Sequence, residues 1–209
     1  MNAPLLGAVL LQAVTAAWTL RVFCGLKRKS DIWRYYTYLQ NAFSLLVSLI
    51  FVPAALLALL GVMDVPSWVR GLRYVSATGL CLASAVYFLL LRPGKHPQNA
   101  ISDDDFRSGV HGRSADRLLH IIAPAASVAS FLLLERDIHL TDSLWTGLAA
   151  LPSLAYLLMY GLLTALHLWK PPYAFSTPGS KPNPLLDGLT VAFFPAAYFV
   201  ISFLLWNLR

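Results

Sequence analysis

Residues 35–63 read YYTYLQNAFSLLVSLIFVPAALLALLGVM, with no charged side chain from Tyr35 to Met63. An apolar run of this length exceeds the roughly 20 residues that carry a helix across a bilayer. It is continuous rather than alternating, which excludes a barrel strand. Lipid offers no partners to open backbone groups, so the run must satisfy its own hydrogen bonds as a helix. Working outward, five more apolar runs occupy 3–26, 70–91, 118–134, 143–169 and 187–207. The expectation is an all-α polytopic membrane protein, a six-transmembrane-helix bundle forming a single domain over 1–209. The longest segment between runs, 92–116, is polar and too short for a domain of its own.

Composition points the same way. The chain is 57% hydrophobic and 12% charged, whereas a soluble domain carries about 25% charged residues. The net charge of +6 raises the question of nucleic acid. The positions of the basic residues answer it, because they lie in short loops where membrane topology and anionic head groups account for them. Cys24 and Cys81 fall in separate apolar runs and form neither a disulfide framework nor a metal motif. The first run lacks a basic segment ahead of it, and Lys27, Arg28 and Lys29 follow it. That is the reverse of a cleaved signal, so it reads as a retained first span.

Six spans put both termini on one side. Of the 16 Lys and Arg, only Arg70, Arg73, Arg136 and Arg209 share that side, leaving twelve opposite. The positive-inside rule then makes loops 1, 3 and 5 cytoplasmic and both termini external, in the inner membrane if the source is bacterial. Spans two, four and six all begin on the basic side.

Three groups capable of chemistry open those spans. Thr37 lies three residues past Arg34, and His120 three residues past Arg117. Both therefore sit roughly 4–5 Å inside the apolar boundary at the helical rise. A hydroxyl and an imidazole at one depth can act as nucleophile and base. Each also has a structural reading, since Thr and His commonly bridge membrane helices. Pro124 cannot donate to the carbonyl of His120, so the fourth span should depart from a regular helix there. Such breaks at membrane depth are tolerated where they line a cavity. Asn41, one turn beyond Thr37 on the same face, either holds an oxyanion or bridges helices. Asp187 either caps the sixth helix or orients His120. Arg117 could support the same site, and His167 either lines its cavity or is interfacial beside Trp169. Trp33, Tyr35, Tyr36 and Tyr38 read as an aromatic belt. His96, His111, His139 and the run Asp103–Asp105 read as solvated loop residues without metal-ligand spacing.

The chain holds no Gly-x-Ser-x-Gly elbow, no His-Glu-x-x-His and no Gly-rich phosphate loop. No acidic or basic residue sits mid-span in this assignment, which counts against an ion-coupled carrier. No cofactor and no metal are implied.

Three segments together resemble a known family. Trp33-Arg34-Tyr35-Tyr36-Thr37-Tyr38 is similar to the start of the second span in the androgen-induced membrane protein family, six-span threonine hydrolases of fatty acid esters of hydroxy fatty acids. Leu118-Leu119-His120-Ile121-Ile122-Ala123-Pro124 resembles that family's His segment ahead of a proline. Asn183-Pro184-Leu185-Leu186-Asp187 resembles the element before its last span. The resemblance covers essentially the whole chain and implies Thr37 as nucleophile and His120 as catalytic histidine. The proline comes one residue sooner after the histidine than in the animal members. Arg117 replaces an Asn, and Leu185 an aromatic residue. A bacterial branch of the family fits equally well.

Two functions follow as expectations. One is a membrane-embedded lipid ester hydrolase acting on a fatty-acyl ester drawn from the bilayer. The other is a non-enzymatic lipid-binding or helix-scaffolding protein in which Thr37 and His120 are interhelical hydrogen-bond partners.

Overall fold

The computed structural model describes residues 3–25, 35–91, 115, 117–135, 142–168 and 184–209. Helix α1 spans Ala3–Gly25 and α2 spans Tyr36–Leu59. Helix α3 spans Ser67–Val86 and continues as a π turn over Tyr87–Leu91. A second π turn, Leu118–Ile122, opens α4, Ala123–Glu135. Helices α5 (Leu144–Leu148), α6 (Leu151–Ala165) and α7 (Pro184–Leu208) follow among the described residues. The described residues contain no strand. Among the described residues, five helical segments are long and apolar enough to cross a membrane, and α7 adds a further helix of 25 residues. The protein is an all-helical membrane bundle.

Helix α3 is its axis. Of its apolar window 61% is buried, against 17% for the segment Leu144–Leu163. The cause lies in its composition: Gly71, Ser76, Ala77, Thr78, Gly79 and Ala83 are small enough to let side chains of neighbouring helices pack closely against it. A Cβ at Gly79 would overlap the Gln40 carboxamide of α2, and one at Gly71 would overlap the Trp145 indole of α5. Helix α3 packs on α2, α4 and α7, while α1 closes the other side against α2 and α4. Helix α2 ends in a Schellman turn. Gly61 takes φ +73°, and the N–H groups of Gly61 and Val62 donate to the carbonyls of Ala58 and Leu57.

The fifth apolar run is not one helix. It breaks at Ala149–Ala150 between α5 and α6. Pro152 has no N–H for the carbonyl of Leu148, and Gly147 adds a weak helix former just before it. The tyrosines of the expected belt also sit differently. Tyr36 and Tyr38 are buried inside the bundle. The Tyr36 hydroxyl pairs with Ser153 Oγ at 2.7 Å, and its ring meets Tyr156 and Phe194. A buried phenol needs such a partner, and α6 supplies it. Trp33 lies outside the described residues.

Arginines assigned to the edge of the third span lie inside it. Helix α3 starts at Ser67, so Arg73 is nearly two turns deep and buried. Its Nη2 donates to Ser130 Oγ at 2.7 Å, and its guanidinium sits 3.9 Å from the centroid of Phe51. Ser130 Oγ donates in turn to the Ala8 carbonyl at 2.9 Å. One arginine thus ties together α1, α2, α3 and α4. Glu135, fully buried at the end of α4, is the acidic partner in its electrostatics. A charge this deep in lipid is tolerated only when paired and turned inward.

Candidate functional site

The π turn at the start of α4 organises the site. In an α-helix the Ala123 N–H would donate to the Leu119 carbonyl. Here it donates to Leu118 instead, which releases Leu119. Pro124 has no N–H, which releases His120. Two consecutive carbonyls therefore leave the ladder at membrane depth, where an unmet acceptor is costly. Neighbouring helices supply both donors. Asn41 Nδ2 of α2 reaches the Leu119 carbonyl at 3.3 Å, and Ser84 Oγ of α3 reaches the His120 carbonyl at 2.6 Å. The departure expected around Pro124 takes this form.

Asn41 also joins the threonine to this turn. The same Nδ2 donates to the Thr37 carbonyl at 2.8 Å. The backbone of Thr37 and the residue preceding His120 thus share one carboxamide. Asn41 is almost wholly buried, at 1% exposure, and both its amide hydrogens are committed. Its Oδ1 has no hydrogen-bond partner among the described residues. The residue is therefore a helix bridge with spare acceptor capacity. The bridging role is one of its two sequence readings.

His120 is held on its face as well as by its backbone. Its ring stacks on Tyr87 at 3.9 Å between centroids and 14° between planes. Tyr87 is the first residue of the π turn that ends the third span, so the two π turns among the described residues meet at this stack. Single π turns inside helices are frequent at functional sites. Thr37 is buried and His120 half-buried.

The remaining candidates fall elsewhere. Asp187 lies in the first turn of α7, which starts at Pro184 rather than at Asp187. Proline is favoured at that position because its missing N–H is unpaired there anyway. Asp187 is therefore not the capping residue, although a carboxylate in the first turn suits the helix dipole. Its side chain lies outside the described residues. His167 is exposed in the turn that ends α6, at φ +54°. Arg117 is exposed and faces a cleft beside α1. His96, His111, His139 and Asp103–Asp105 are outside the described residues.

Sequence reasoning missed Ser84 and Tyr87. Neither carries a motif, and only the contact with α4 gives them a role. The signal that could have flagged Ser84 is Pro124 itself, since a freed carbonyl requires a donor from some other helix. The chain matches no family model, no curated protein and no solved structure.

Proposed function

We propose that the protein is a membrane-embedded lipid ester hydrolase with Thr37 as nucleophile and His120 as base. The observation that carries this reading is the Asn41 bridge, which ties the turn bearing Thr37 to the turn bearing His120. The two helical openings expected to share a depth are thus joined. The Thr37 hydroxyl attacks the acyl carbonyl, and the His120 imidazole takes its proton. The tetrahedral intermediate expels the alcohol, which leaves with that proton. Water, deprotonated by the same imidazole, then cleaves the acyl-threonine to release the fatty acid and restore the hydroxyl. Tyr87 and Ser84 keep the imidazole in place through both half-reactions. The substrate is a fatty-acyl ester of the bilayer, in line with the resemblance to hydrolases of fatty acid esters of hydroxy fatty acids. The basic loops 1, 3 and 5 lie in the cytoplasm in this reading, which places the site near that face.

Labelling with a lipid-tailed fluorophosphonate tests the reading. Modification mapped to Thr37, lost in His120→Ala, supports it. Absence of labelling with full hydrolysis by Thr37→Ala protein overturns it. The competing reading is a helix scaffold. It is favoured by the interhelical role of Asn41 and Ser84, and it predicts no turnover of any ester.

A further inference from the structure

On the flank of the same π turn, a cleft of about 440 Å³ lies between α1 and the start of the fourth span. Trp18, Arg21 and Val22 line it from α1, and Arg117, Leu118 and Ile122 from the opposite wall. Trp18 is 50% exposed and Ile122 42%, so the cleft opens on the side of the bundle, where lipid lies. Arg21 is one turn from the end of α1 and Arg117 immediately precedes the π turn. Both guanidinium groups therefore stand at the basic-loop end, above an apolar floor. Among the described residues the lining includes no carboxylate.

We infer that this cleft binds one anionic glycerophospholipid of the leaflet on the basic-loop side. The two arginines hold the headgroup phosphate, for which the guanidinium fork is the best protein donor. The Trp18 indole sits at the level where indoles anchor to the interface. Val22, Leu118 and Ile122 seat the first methylenes, and the acyl chains continue outward into the bilayer. Basic pockets between spans on the basic side are suited to anionic head groups in this way. The volume falls within the range of about 300–1,000 Å³ that ligand sites occupy. It accommodates a headgroup and glycerol, with the tails outside. A soluble anion would gain nothing from the apolar floor or the lateral opening. The inference concerns binding alone and stands or falls separately from hydrolysis.

The test uses the full chain, delipidated in neutral detergent and titrated with dioleoyl phosphatidylglycerol or dioleoyl phosphatidylcholine, with occupancy read by native mass spectrometry. One phosphatidylglycerol should be retained in preference to phosphatidylcholine. Arg21→Gln and Arg117→Gln should each weaken it roughly fivefold, and the double variant about twenty-five-fold, at about one charge contact apiece. Ile122→Trp, which fills the cleft with both charges intact, should weaken it as well and serves if the double variant fails to fold. Equal binding of the two lipids overturns the inference. So does a preference that survives both the double variant and Ile122→Trp, or inorganic phosphate displacing the lipid at equal concentration.

Discussion

Removing the Ser84 hydroxyl gives a direct measure of what Pro124 costs the fourth span and what offsets it. In Ser84→Ala the His120 carbonyl loses a 2.6 Å donor, and Pro124 cannot replace it. An intramolecular hydrogen bond contributes about 0.5–1.5 kcal/mol net, and a stranded buried acceptor costs about 1–3 kcal/mol. Bonds between membrane helices average nearer 0.6 and reach about 1.7 kcal/mol. A short bond to a carbonyl already outside the helix ladder belongs at the upper end, so the expected cost is about 1.5 kcal/mol. Pro124→Ala restores a backbone N–H at that position, which can take the His120 carbonyl. In that background the same Ser84→Ala change should cost about 0.5 kcal/mol or less. The expected coupling is about 1 kcal/mol, within the range found for residues that share one network. Reversible unfolding in mixed micelles, followed by far-UV circular dichroism on all four proteins, reads it out. Equal costs of Ser84→Ala in both backgrounds would refute the claim that proline and serine serve one carbonyl.

Thr37→Ala and His120→Ala should each abolish ester hydrolysis at unchanged expression, and the double variant should be no slower than either, because groups acting as one unit are not additive; steady-state rates on a long-chain lipid ester check this. Tyr87→Leu should lower kcat with little change in KM, since it loosens the stacked imidazole without touching substrate binding, and a parallel rise in KM would argue otherwise. Gly79→Ala should cost about 1 kcal/mol, because the Gln40 carboxamide it overlaps is the end of a flexible side chain that can shift, and adding Gln40→Ala should recover most of it in the same unfolding assay. Arg73→Met should cost about 2 kcal/mol, the scale of a hydrogen bond to a charged group, and an unchanged midpoint would show that the guanidinium contributes nothing to the bundle.

The spans were legible because membrane helices are written in one variable, the length of an uncharged run. The run 35–63 resolves into α2 with only its ends trimmed. What escaped depended on a partner. Arg73 read as interfacial because the third run was counted from Arg70, whereas Val65-Pro66-Ser67 already marks a helix start that places Arg73 inside. The break in the fifth run was visible in Pro152 but outweighed by the apolarity around it. Thr37 and His120 read as a matched pair from their spacing to Arg34 and Arg117. The bridge between them was not legible, since Asn41 has two good readings until the Leu119 carbonyl comes within reach. The irregular turn after Val86 has no sequence cue at all.

A π turn is also a one-residue insertion that the helix has kept. The five residues Leu118–Ile122 absorb what an α ladder would spread over four. Deleting one of them would let the ladder close normally while α4 stays docked through Ser130 and Glu135. Everything before the deletion would then rotate by about 100°, one residue's worth of helical phase. Arg117 would leave its wall of the cleft, and the Leu119 carbonyl would return to its own helix, away from Asn41. The turn therefore works as a phase setter: a single extra residue decides which face of the fourth span looks at α2 and α3, with the buried half of the bundle unchanged. Among homologous chains, a gap of one residue in this segment would mark those that have lost the Asn41 bridge to the fourth span, however well Asn41 itself is preserved.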